Sequence, residues 1–185
     1  MDALVMCGGK GTRLDAHAEK PLFQVGGEAM VDRVVAALEA SRVDRAYAVV
    51  SPHAPETAAH IDCPVVETPG EGYVADLMAA LEADRVDEPV LTVAADLPLL
   101  DGAVVDSVLD DYESGSLTVA TPTLIKRTLG VSVDSRFAHE GEEVVPTGVN
   151  VVGDGPDRTV VRDDARLAVN VNRREDAEVA ERLLV

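Results

Sequence analysis

An α/β chain, with a mostly parallel sheet held between two layers of helices, is the fold this sequence predicts, on three observations. Short valine-rich runs alternate with segments whose apolar residues recur at helical spacing. The runs break at glycine, proline or aspartate. The run at residues 90–94 has the continuous character of a strand buried on both faces of a parallel sheet. Strands separated by helices of this length imply right-handed βαβ crossovers, and ligands in such sheets bind outside the carboxyl ends of the strands.

Leu4-Val5-Met6 is the first strand, and it breaks into a glycine-rich loop. Met30, Val31, Val34, Val35 and Leu38 then recur at helical spacing and predict an amphipathic helix over residues 28–40. A second strand at 45–50 is stopped by Ser51-Pro52, and an alanine-rich turn or short helix at 56–60 leads to a third strand at 64–67. The turn Pro69-Gly70-Glu71-Gly72 opens a helix through Val74, Leu77, Met78 and Leu81. The fourth strand, 90–94, ends at Ala95-Asp96-Leu97-Pro98. Residues 101–112 form a helix with apolar Val104, Val105, Val108 and Leu109, and 117–120 a strand. From 122 to 143 the pattern dissolves into short runs carrying Lys126, Arg127, Arg136 and His139, which read equally as a substrate-holding segment or a solvated insertion. An apolar strand resumes at 146–152, where Gly148 leaves room for a ligand or a neighbouring chain. A brief strand at 159–161, an edge strand at 167–171 and a helix at 176–184 close a three-layer, Rossmann-like sheet.

The loop after the first strand carries the chemistry: Cys7-Gly8-Gly9-Lys10-Gly11-Thr12-Arg13-Leu14, followed by Glu19-Lys20-Pro21-Leu22. Three glycines within four residues let backbone approach a ligand, and successive N–H groups in such a turn form a concavity that attracts anions. Lys10, Arg13 and Lys20 add cationic donors, so the ligand expected is a phosphate chain. The P-loop requires Ser or Thr directly after Gly-Lys, where this chain has Gly11, and the dinucleotide fingerprint requires a small residue where it has Leu14. Asp96, at the end of a buried strand, falls on the same sheet edge as the loop. Its carboxylate could hold a hard cation or cap the helix that starts near Asp101.

These stretches resemble the nucleotidyltransferases that join a nucleoside monophosphate to an acceptor phosphate and release pyrophosphate, with the pattern Gly-Gly-x-Gly-Thr-Arg and then Lys-Pro-Leu. The opening Met1-Asp2-Ala3-Leu4, the Gly70-Glu71-Gly72-Tyr73 turn and the segment Pro146 to Val152 most resemble the archaeal-type adenosylcobinamide-phosphate guanylyltransferases. The family usually has alanine where this chain has Cys7, an exchange expected to be silent. The resemblance implies a nucleotide-diphospho-sugar transferase-like fold over a single domain, residues 1–185, with a nucleotide-binding half (1–100) and an acceptor-binding half (101–185). It implies catalytic roles for Arg13, Lys20 and Asp96, and nucleotide contacts for Gly8, Gly9, Lys10, Gly11, Thr12, Gly70, Gly72 and Gly148. Magnesium is the expected cofactor, since nucleotidyl transfer needs a hard cation to neutralise phosphate charge. By resemblance Asp96 binds it, with Asn172 in Val169-Asn170-Val171-Asn172 as second metal-side residue, unless Asn172 is the N-cap of the last helix. Asn170 is the weaker candidate. GTP would give GMP to the corrinoid phosphate. Guanine would be read by the end of the first strand, the Gly70 to Tyr73 turn or Asp76. Molybdenum-cofactor or sugar-phosphate nucleotidyl transfer, and a GTP-binding sensor without turnover, are the alternatives.

Composition bounds these readings. The 185 residues suffice to bury roughly 70% of the unfolded surface, and with 46% apolar but only 3% aromatic residues the core must be aliphatic. There is no run of about eighteen apolar residues for a membrane span and no basic leader, so a cytoplasmic protein is expected. Cys7 and Cys63 read as reduced, and His17, His53, His60 and His139 show no metal-ligand spacing. With 34 acidic against 16 basic residues the formal charge is −18, which argues against nucleic acid and fits a halophile's surface. Two of the three lysines, Lys10 and Lys20, lie in the loop region, and the third is Lys126. An exposed sheet edge leaves a homodimer open.

Overall fold

The computed structural model describes residues 1–8, 14, 18–83 and 85–184. From β1 (Ala3–Met6) the chain runs through a 3-10 turn at Lys20–Leu22 to a two-stranded ribbon, β2 (Gln24–Val25) and β3 (Glu28–Ala29). Then come α1 (Met30–Glu39), β4 (Ala46–Val50), α2 (Pro55–His60), β5 (Val65–Glu67), α3 (Tyr73–Leu81) and β6 (Val90–Ala94). The second half comprises α4 (Gly102–Asp111), β7 (Ser116–Pro122), α5 (Thr123–Leu129), β8 (Phe137–His139), β9 (Glu142–Val152), β10 (Asp157–Val161), α6 (Ala165–Ala168) and α7 (Arg174–Leu183).

The main sheet has the order β10-β7-β9-β6-β1-β4-β5, with β8 hairpinned onto β9. β1 sits in parallel register between β4 and β6, and β5 and β10 also pair in parallel. Among the described strands of this sheet β9 alone inverts the direction, running antiparallel to β6, β7 and β8. Alternation along β1 explains the layers: Val5 faces a core shared with Val31, Val34 and Leu38 of α1 and Val104, Val105 and Val108 of α4, whereas Leu4 faces Leu77, Ala80 and Leu81 of α3. A third cluster joins Leu14, Val25 and Met30 to Val169, Val171 and the apolar face of α7. No helix among the described residues is long and apolar enough to cross a membrane.

Two stretches depart from expectation. Residues 122–143 are ordered into α5 and the β8–β9 hairpin. The sequence hides α5 because its pattern is inverted, with Leu124 72% exposed and Lys126 2% exposed. Residues 167–171 make no edge strand. Asp164 accepts a hydrogen bond from the Arg166 backbone and starts the short α6, after which residues 169–171 form neither helix nor strand.

Candidate active site

The carboxyl ends of β1 and β6 open onto a cavity of about 480 Å³ lined by Cys7, Gly8, Lys20, Pro21, Ala95 and Asp96 on one side and His53, Gly70, Glu71, Gly72, Tyr73 and Asp76 on the other. It lies beside β1 where the strand order reverses, the chain passing outward from β1 to β4 and β5 and then crossing back to β6 on the other side of β1, the switch point at which α/β sheets bind ligands. Gly9, Lys10, Gly11, Thr12, Arg13 and His17 lie outside the described residues.

At the cavity edge Lys20 Nζ donates to Asp96 Oδ2 at 2.6 Å and to Asn172 Oδ1 at 2.7 Å. The two side chains of the ion pair are 18% and 16% exposed, so the charges are partly desolvated while remaining reachable. Asp96 does not cap α4. Asp101 does, accepting from Val104 N at 2.9 Å, which leaves the Asp96 carboxylate for the cavity. Nor does Asn172 cap α7. The N-cap of α7 is Arg173, and the Asp176 carboxylate, 1% exposed, takes the backbone N–H groups of both Asn172 and Arg173.

Backbone continuity sets this pair. Val171 N donates to Asp96 O at 2.9 Å, tying the segment 169–171 beside the end of β6. Val169 and Val171 are fully buried, and the residues that alternate with them, Asn170 and Asn172, both reach the Asp96–Lys20 pair. Asn170, the weaker sequence candidate, is the more deeply embedded: Nδ2 donates to Asp96 Oδ1 at 3.1 Å and to Thr147 O at 2.8 Å. Lys126 Nζ in turn donates to Asn170 Oδ1 at 3.1 Å. Burial pushes the Lys126 ammonium below its ordinary range, against the opposing pull of Asp176, Asp96 and Asp134. No sequence signal singled out this lysine, because burial of α5's polar side is a tertiary effect.

Gly148 does not line the cavity. It adopts a φ of +85°, and a Cβ there would meet Ala94 Cβ at 2.8 Å, so the room it leaves is filled by β6 of the same chain. The opposite wall is held by Asp76, 3% exposed, whose Oδ1 accepts from Gly70 N at 2.7 Å. Gly70 adopts a φ of +76°, which strains other residues, and a Cβ there would crowd Ser51 and His53 at 3.1 Å. His53, which sequence marked only as lacking metal-ligand spacing, lines the cavity. Glu19, directly before Lys20, accepts from Glu56 N, Thr57 N and Thr57 Oγ1 at 2.6–2.8 Å and so anchors the loop exit to the start of α2. Both cysteines are free, and burial raises the Cys7 thiol pKa far above its usual value.

The oxygens suit a hard cation. Asp96 Oδ2 and Asn172 Oδ1 converge on one point already taken by a positive group, the Lys20 ammonium. Among the described residues there is no cluster of three or more His, Cys, Asp or Glu able to hold a metal by protein ligands alone. One carboxylate with an amide oxygen matches a cation that completes its shell with phosphate and water.

Residues 3–142 match the MobA-like NTP transferase domain. The whole chain is 32% identical to the adenosylcobinamide-phosphate guanylyltransferase of Methanocaldococcus jannaschii, covering 97% of that protein. Among solved structures, a hypothetical transferase from Thermus thermophilus superposes with a TM-score of 0.71 at 18% identity, over 95% of this chain and 98% of the other. A CMP:2-keto-3-deoxy-manno-octonic acid synthetase complexed with CTP superposes at 0.68 and 12% identity, over 99% and 97% of the two chains. These two likenesses concern the fold. The domain match and the full-length relative make this chain a member of the MobA-like NTP transferase family, a nucleotidyltransferase.

Proposed function

We propose that this protein transfers GMP from GTP to the phosphate of adenosylcobinamide phosphate, giving adenosylcobinamide-GDP and pyrophosphate. The full-length similarity to an enzyme named for that acceptor and donor supports the substrates. The observation that carries the chemistry is the Lys20–Asp96–Asn172 constellation at the carboxyl edge of the sheet. In this reading residues 1–100 hold the nucleotide and 101–185 the acceptor.

The acceptor phosphate is already anionic, so it attacks the α-phosphorus without a general base, and the P–O bond to the leaving pyrophosphate breaks in line. The chain's task is then positioning and charge neutralisation. The glycine turn from Gly8 to Thr12, with Arg13, is assigned to the triphosphate. Lys20 exchanges its carboxylate partner for phosphate oxygens. Asp96 and Asn172 would hold magnesium, which when bound neutralises charge on the α-phosphate and leaving group. The Gly70 to Tyr73 turn, which Asp76 holds by accepting from Gly70 N, lines the cavity and is assigned to the purine, together with Asp76 or the end of β1.

The test is pyrophosphate release in molar KCl with magnesium, offering GTP, CTP, UTP and ATP in turn, with and without adenosylcobinamide phosphate. Release confined to GTP plus the corrinoid is expected. Equal release with CTP, or with a sugar phosphate in place of the corrinoid, would overturn the assignment of donor or acceptor.

A further inference from the structure

We propose that Lys126 is a positioning residue that locks the Asn170 amide in one orientation and, through it, aims the Asp96 carboxylate at the cavity, an inference that rests on the nucleotidyl-transfer site proposed above. An asparagine amide can sit either way round, and only its neighbours decide which end faces which group. Here all three neighbours agree. Lys126 Nζ, a donor without acceptor capacity, lies 3.1 Å from Oδ1. Nδ2 meets two acceptors, Asp96 Oδ1 at 3.1 Å and Thr147 O at 2.8 Å. Reversing the amide would set its oxygen against a carboxylate and a carbonyl, and its NH2 against an ammonium.

The surroundings are built to hold this arrangement. The β7–β9 register shifts between Thr118 and Ala120, opposite the Thr147-Gly148 step, and Thr147 Oγ1 fills the interrupted ladder by donating to Val119 O at 2.9 Å and accepting from Val149 N at 3.2 Å. That irregularity leaves the Thr147 carbonyl to Asn170. Asp96 thus has one oxygen on Asn170 and the other on Lys20, which fixes the plane of its carboxylate from both sides. A lysine 2% exposed in a helix whose Leu124 faces solvent carries a desolvation cost that a merely structural position would avoid by placing a leucine inside.

The experiment is a double-mutant cycle with Lys126→Met and Asn170→Ala, read by steady-state guanylyl transfer and by the ¹⁵N-resolved side-chain amide protons of Asn170, assigned by their loss in Asn170→Ala. Lys126→Met is expected to lower kcat by about 10-fold or more, as loss of an outer-shell orienting group does, with KM for GTP within about twofold. In the Asn170→Ala background the same substitution should cost almost nothing, because its route to Asp96 is gone. The Asn170 amide protons should be slow to exchange in the unsubstituted protein and should broaden or exchange rapidly in Lys126→Met. Wild-type turnover by Lys126→Met, an equal cost in both backgrounds, or unchanged amide signals would each overturn the lock. Should Lys126→Met not fold, Lys126→Gln serves, since its side chain carries both donor and acceptor and so no longer forces one orientation. The amide signals need no substrate. Their collapse in a protein that transfers no GMP would uphold the lock and remove the reaction proposed above.

Discussion

Lys20 holds two oxygens from segments distant in sequence, Asp96 Oδ2 and Asn172 Oδ1, at 2.6 and 2.7 Å. Replacing Lys20 by alanine is expected to reduce turnover by about 10²–10³-fold, the range for loss of one charged or hydrogen-bonding group that stabilises developing transition-state charge, with the thermal midpoint nearly unchanged. Asp96→Asn should cost at least as much, and an unaltered rate in either variant would remove that residue from the chemistry. Sequence marked Lys20 only as a cationic donor at the loop exit and Asp96 only as a carboxylate ending a buried strand before Pro98; their catalytic roles came from the family resemblance. Asn170 and Lys126 were marked far less. Asn170 differs from Asn172 only in how deeply its segment is embedded, and Lys126 is buried by the packing of α5 against β7 and β9, which no local pattern encodes. Cys7 offers a separate check. Its raised pKa keeps the thiol protonated in the folded state, a contribution to stability that is complete below the usual thiol value of 9.0 and lost as pH rises above it. Cys7 should therefore resist alkylation in the native protein at mildly alkaline pH and react once the chain is unfolded, which peptide mass mapping would read.

Elements are joined here by carboxylates as much as by apolar contact. Asp176 accepts from Ser132 N, Ser132 Oγ, Asn172 N and Arg173 N, so a single buried side chain fixes the start of α7, the loop after α5 and the segment bearing Asn172. Asp176→Ala is expected to destabilise by about 3 kcal/mol, since several donors lose a charged partner at once, and to lower turnover through Asn172. Denaturant titration beside the kinetic assay would measure both. A second linkage is electrostatic. The Arg166 guanidinium beside Asp164 holds that carboxyl below its ordinary 3.8, so the pair's contribution is present above that value and fades as pH falls through the lowered one. Arg166→Met should accordingly lose more stability at neutral pH than in strong acid, where acid and thermal melts would converge on the unsubstituted protein. The two helices that sequence missed were hidden differently: α5 presents Leu124 to solvent and Lys126 to the interior, and α6 spans only four residues, too few to sample the helical period.

At the scale of the molecule, the alternation of strands and helices announced the parallel core, because a βαβ unit writes its period into the chain. The antiparallel insertion of β9 between β6 and β7 was not announced, since an apolar strand carries no mark of its direction. That inversion brings Thr147 against Asn170 and joins the second half of the chain to the site. The formal charge of −18 adds a long-range repulsion that salt screens. The thermal midpoint should rise steadily between dilute buffer and molar KCl, and a flat or falling curve would refute the halophilic reading of the surface. Attack of an acceptor phosphate on the α-phosphorus of GTP is tested by the fate of label from [α-³²P]GTP and [γ-³²P]GTP in parallel reactions with adenosylcobinamide phosphate. We expect α label in the corrinoid product and γ label in pyrophosphate, in equal amounts. Label from the γ position in the corrinoid, or pyrophosphate formed without acceptor and with α label released as GMP, would contradict it.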